Sequence, residues 1–157
     1  MNMTMTRTAL PGPDAEIAKG HLQETLVDLV DLTLQAKQAH WNVVGPRFRS
    51  VHLQLDELVE QTRAFADRVA ERIVTLGDPA EGSASAIDHQ TKIDPLPGGF
   101  IQDADAVKLF IERLDTACGR IRRNLSGSPD PVSHDLLVQL LGKLEEQMWM
   151  LHAQTHA

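Results

Sequence analysis

Tyrosine is absent from the 157 residues, cysteine occurs once, and aromatic residues make up only 4%. Each shortage excludes something. With Cys118 alone, no internal disulfide can form, and a reducing cytoplasm is the simplest home. Cys118 itself reads as a small apolar helix residue. With so few aromatics, a stacking platform for single-stranded nucleic acid is not expected. No apolar run approaches the ~20 residues that cross a bilayer. The N-terminus has no cationic stretch leading into an apolar one, so no secretory leader is expected. Basic residues are also short, 15 against 22 acidic, for a formal charge of −7. Coating nucleic acid relies on Lys and Arg neutralising phosphates, and this balance opposes it. An acidic surface attracts cations instead.

What is present is helical periodicity. Residues 1–13 end in Pro-Gly-Pro and read as a flexible tail with one basic residue, Arg7; a single domain is expected over 14–157. From Asp14, the residues Leu22, Leu26, Leu29, Thr33, Ala36 and His40 fall on one seam, with Val30 and Leu34 widening it. The Thr33 hydroxyl can bond back one turn, so it need not break the seam. This first helix should stop near Val44, before Gly45-Pro46. A second helix spans about 47–76, packed through Val51, Leu55, Leu58, Val59, Phe65, Val69, Ile73 and Leu76. Residues 77–102 form a long connection in which SASAIDHQ makes a short helix, with Asp88 and His89 on the surface. A third helix starts with Asp103 or Asp105 as its cap and runs to Leu125. A fourth begins at Asp130-Pro131. His152 and His156 make an i,i+4 pair at its end, read as a frayed terminus. The whole is an all-α, ferritin-like four-helix bundle, with a short extra helix in the connection between helices 2 and 3.

The second helix carries a stripe of metal-ligand types. With His52 at 0° and ~100° per residue, Asp56 falls near 40°, Asp67 near 60° and Glu71 near 100°. Yet Asp56 and Asp67 lie ~16 Å apart along the axis, too far for one metal with bonds of ~2 Å. His52/Asp56 and Asp67/Glu71 are equidistant from a midpoint near residues 61 and 62. An antiparallel second copy about a two-fold axis there would face His52/Asp56 of one chain with Asp67/Glu71 of the other, giving two identical sites. His40, at the end of the seam, adds a nitrogen. Two imidazoles and three carboxylates suit Fe(II), with Zn, Mn or Co as competitors. The chain has no Glu-x-x-His, so the usual di-iron site inside one bundle cannot be assembled. The alternative for Asp56, Asp67 and Glu71 is a solvated face paired at i,i+4, a role that Glu57, Glu60, Arg63, Arg68 and Arg72 can also fill.

The segments KQAHWNVVGPRF, VHLQLDELV and ADRVAERI, with Glu145–Trp149 near the end, resemble the Dps proteins, the mini-ferritins also known as DNA-binding proteins from starved cells. The resemblance runs from about residue 15 to 152. It implies a homododecameric shell built from two-fold dimers with shared metal sites. It implies oxidation of Fe(II), preferably by hydrogen peroxide, and storage of Fe(III) mineral inside, which protects against oxidative damage. His40, His52 and Asp56 match the family's ligands, and Asp67 and Glu71 match those from across the two-fold. Trp41 matches a tryptophan beside the centre that can intercept radicals; otherwise it is a core or interface aromatic. Glu57 and Glu60 are weaker candidates for nucleating mineral. Many members bind DNA through a Lys/Arg-rich tail; here the tail has one Arg, so weak or absent DNA binding is expected. The competing readings are a nucleoid-associated DNA-compaction protein with iron secondary, and a structural Zn-binding bundle without redox work.

Overall fold

A computed structural model describes residue 10 and residues 12–155. Helix α1 spans Gly12–Asn42, α2 Phe48–Thr75, α3 Ala84–Gln90, α4 Asp103–Ser126 and α5 Pro131–Ala153. Four long helices and a short one in the long connection are the architecture that the periodicity implies. The tail expected over 1–13 lies largely outside the described residues, and α1 already begins at Gly12. His156, the far member of the terminal histidine pair, lies outside them too.

The first seam is buried as its spacing predicts: Leu22, Leu29 and Ala36 are fully covered. Thr33 bonds back to the Leu29 carbonyl at 2.7 Å and meets the Thr62 hydroxyl of α2 at 2.7 Å. The polar interruption is therefore matched across the helix pair rather than left unpaired. All eight packing residues expected of the second helix are buried. Phe110 of α4, fully buried, belongs with Leu55 of α2 and Leu137 of α5 to one hydrophobic core cluster. Removing that ring would cost about 3–5 kcal/mol in lost transfer energy and cavity. Val30 packs partly buried against the core, as expected, whereas Leu34 departs from expectation. Leu34 is 58% exposed and lines an outer groove beside α2.

The end of α1 holds a feature that helical patterning does not reveal. Val43–Val44 leaves the helix as β1 and pairs in parallel with β2, Ile101–Gln102. Both strands lead directly into long helices, so α2 and α4 start at the same end of the bundle. The chain between Thr75 and Asp103 must therefore run back the length of α2, ~40 Å. This is the crossover of a ferritin-like topology. It is tied down along the way. Arg113 of α4, 3% exposed, donates to the Pro95 carbonyl at 2.7 Å and to Gln35 of α1 at 2.7 Å. Thr91 donates to Asp31 of α1.

Two helix starts, those of α3 and α5, are satisfied by short side chains. Asp130 accepts from the amides of Val132 and Ser133 and pairs with Arg72 at 2.8 Å, as a cap before Pro131 should. Ser83 caps α3. Asp103 does not cap α4, where Gln102 stands at the cap position without a side-chain bond. Its buried carboxylate instead accepts from the Arg47 amide at 2.5 Å, across the turn after β1. That turn passes through Gly45 at φ +129°, and a Cβ there would sit 2.5 Å from Asp103 Oδ2. Only glycine fits such a conformation so close to a carboxylate.

Candidate metal centre

The Gly45 turn folds the end of α1 back against the start of α2, which brings His40 and His52 face to face. Their rings stack with centroids 3.6 Å apart and planes 19° apart. His40 Nδ1–H donates to the His52 carbonyl at 2.8 Å, and His52 Nδ1–H donates to the His40 carbonyl at 2.7 Å. The second bond also satisfies one of the last carbonyls of α1, which lack partners inside their own helix. Each ring so held carries its proton on Nδ1. The Nε2 lone pairs of both rings remain free to coordinate. Phe48 leans on His52 with centroids 4.9 Å apart and helps fix its rotamer.

Asp56, one turn along α2, lies 4.0 Å from His40 Nδ1. Its Oδ1 accepts from Lys37 Nζ at 2.5 Å. That hydrogen bond, helped by the Lys37 charge, outweighs desolvation and holds the Asp56 carboxyl below the usual carboxylate range. Lys37 is the residue that sequence reasoning missed. It lies three positions before His40, on the groove side of α1, and its pairing depends on the register between two helices rather than on spacing within one.

Asp67 and Glu71 lie further along α2, both exposed. Among the described residues, neither carboxylate enters a hydrogen bond or ion pair. Nearby arginines do not occupy them: Arg68 donates to Gln139 and Arg72 to Asp130. Asp67 lines the outer groove between α1 and α2, about 820 Å³, with Trp41, Lys37, Arg63, Leu34 and Leu96. Glu71 faces a shallower depression toward α5, with Arg68 and Val132. Trp41 is 65% exposed on this groove, so it is not a core residue of the single chain. Cys118 is buried, and burial pushes its thiol up to about 12. Glu57, Glu60, Asp88, His89 and His152 are exposed.

One chain thus stacks two imidazoles and sets one carboxylate, Asp56, 4.0 Å from His40 Nδ1. It carries two further carboxylates elsewhere on the same helix. Among the described residues, no three His, Cys, Asp or Glu side chains converge within the chain as a metal cage. The donor chemistry, borderline nitrogen with hard oxygen, fits divalent first-row ions such as Fe(II).

Comparison with known proteins agrees on the fold. The Ferritin-like domain family matches residues 19–157. The DNA protection during starvation protein of Agrobacterium fabrum is 34% identical over 156 residues, covering 98% of this chain and 96% of its own. A Mycobacterium smegmatis Dps crystal structure superposes with TM-score 0.92 at 31% identity, covering 100% of this chain and 95% of that one. DpsA14 from Streptomyces coelicolor gives TM-score 0.90 at 33% identity, covering 100% and 96%.

Proposed function

The chain belongs to the Dps family of ferritin-like proteins, and from that premise we propose that it oxidises Fe(II) and stores the Fe(III) product inside a shell of twelve copies. The reading rests on one observation above the rest: two imidazoles brace each other through Nδ1, which leaves both Nε2 atoms without a partner, and Asp56 lies 4.0 Å from His40 Nδ1. Ferrous iron is the substrate. His40 and His52 supply nitrogens, and Asp56 supplies an oxygen. The second copy's Asp67 and Glu71 complete the set across a two-fold axis, with Asp67 either ligating or orienting an imidazole. Hydrogen peroxide takes one electron from each of two Fe(II) ions and two protons, and leaves as two waters. The Fe(III) moves to carboxylates on the inner wall, for which Glu57 and Glu60 are candidates. Trp41, on the groove that the second copy would cover, is placed to intercept stray radicals.

A shell in the cytoplasm that withholds iron from peroxide-driven radical chemistry would protect DNA without gripping it. Among the described residues, no helix is long and apolar enough to cross a membrane. The formal charge of −7 per chain and the single tail arginine oppose DNA condensation, and a low-salt gel shift should show no tight retention. The direct test is an anaerobic Fe(II) titration followed by peroxide. His52→Ala or Asp56→Ala should slow oxidation at least ~10-fold while the assembled size is unchanged. Unchanged rates in both variants remove the assignment, and a stable monomer on sizing removes the shared site.

A further inference from the structure

Two opposite charges in the middle of α2 lack partners in their own chain. Arg63 lines the outer groove, and Glu60 stands exposed one turn before it. Three positions apart on one helix, they are spaced to pair with each other. Yet among the described residues neither enters a hydrogen bond or an ion pair. Arg68 and Arg72, further along the same helix, are held by Gln139 and Asp130 of α5.

Their position singles them out. His52 and Glu71 lie equally far from the midpoint near residues 61 and 62, and so do Asp56 and Asp67. Glu60 and Arg63 are the innermost such pair, each ~2 Å from that midpoint along the helix. With His52 at 0°, they fall near 80° and 20°, inside the sector that closes at Glu71 near 100°. An antiparallel second copy about that two-fold therefore sets Arg63 of one chain opposite Glu60 of the other, and does so twice. The same groove exposes Leu34 and Trp41, apolar surface that such a copy would cover. Apolar contact alone tolerates sliding. A slip of one helical turn, ~5.4 Å, would part each cation from its carboxylate and move His52 and Asp56 off the second copy's Asp67 and Glu71.

We infer that Arg63 and Glu60 form two reciprocal ion pairs between copies, beside the two-fold axis, and that these pairs set the register in which the halves of the metal centre meet. The inference rests on the shared-site reading above and names the contacts that align it. It gives Glu60 to the interface and leaves Glu57 as the candidate for the inner wall.

The test is the protein concentration at which the assembled species falls to half on sizing, with circular dichroism to verify folded helices. Arg63→Glu sets like charges opposite each other in both pairs, and so does Glu60→Arg. Each variant alone should need at least ~30-fold more protein to assemble, and ~1 M salt should recover part of the loss. In an equimolar mixture, every contact between unlike chains has opposite charges again, while each chain keeps like charges three positions apart. The mixture should assemble within about threefold of the unaltered protein. Such rescue cannot come from pairing within one helix. If either reversal unfolds, Arg63→Gln and Glu60→Gln serve as a double-mutant cycle, with an expected coupling of at least ~3-fold. Single reversals that assemble like the unaltered protein overturn the inference, as does a mixture of folded variants that stays apart, or a cycle without coupling. If the unaltered protein is itself a stable monomer, the shared-site reading fails and takes the pair with it. If it assembles and the reversals change nothing, only the pair fails.

Discussion

A site divided between two chains can be broken from either side and repaired by mixing. His52→Ala damages the imidazole half, and Glu71→Ala damages the distal carboxylate half. In a dimer of either variant alone, both centres contain one damaged half, so oxidation should fall to a few per cent of normal. When the two variants are co-expressed in equal amounts, about half of the dimers are mixed. In each mixed dimer, one centre collects both damaged halves and the other collects neither. About one quarter of all centres are then intact, so peroxide-dependent Fe(II) oxidation should recover to ~25% of normal. The control follows from the geometry, because His52 and Asp56 sit in the same half, one turn apart on α2. Mixing His52→Ala with Asp56→Ala should rescue nothing. The assay is the initial rate of ferric absorbance after peroxide addition, on shells of verified size. Rescue in the control pair, or none in the first pair, would refute the divided site.

Three further outcomes concern the scaffold. Gly45→Ala puts a methyl at φ +129° against the buried Asp103 carboxylate, and should cost about 2–4 kcal/mol through strain and the displaced hydrogen bond. A lower urea midpoint at fixed protein concentration checks it, and an unchanged midpoint contradicts the geometry. Burial would raise the Asp130 carboxyl, but hydrogen bonds from Ser133 and Arg72 overcome it and hold the group below the usual range. A folded-state pKa below the unfolded one gives stability that is complete above the ordinary Asp value, ~3.9, and is lost as pH falls through the lowered one. Asp130→Asn should therefore flatten the acid limb of a stability–pH curve, and an equally steep limb would exclude this carboxylate as its source. Cys118, buried and with its thiol raised to about 12, should resist a thiol reagent at pH 8 in native protein and react fully in denaturant.

Much of the fold is local, and local patterns are readable in a chain. The Leu22-to-His40 seam, the Asp130-Pro131 start and the Ser83 helix needed only spacing and cap chemistry. The ligand stripe was likewise arithmetic along one helix. What could not be read depends on how one helix is set against another. Asp103 has the composition of a cap, but β1–β2 pairing places it beside Gly45, where it serves the Arg47 amide instead. Lys37 has no partner within its own helix, and only the register of α1 against α2 delivers Asp56 to it. Leu34 and Trp41 look like core by type, yet both stand exposed on the groove between α1 and α2.

The two-rung ladder of Val43–Val44 on Ile101–Gln102 lies between the histidines in the chain, yet its other strand arrives 58 positions later. The imidazoles are therefore set in place by polypeptide that the ribosome delivers long after them. A nascent chain that has made both rings but not yet residues 101–103 lacks the ladder and the Asp103 bond to the Arg47 amide that brace the turn between them. The turn between the two rings is thus completed only once the second half of the chain has been made.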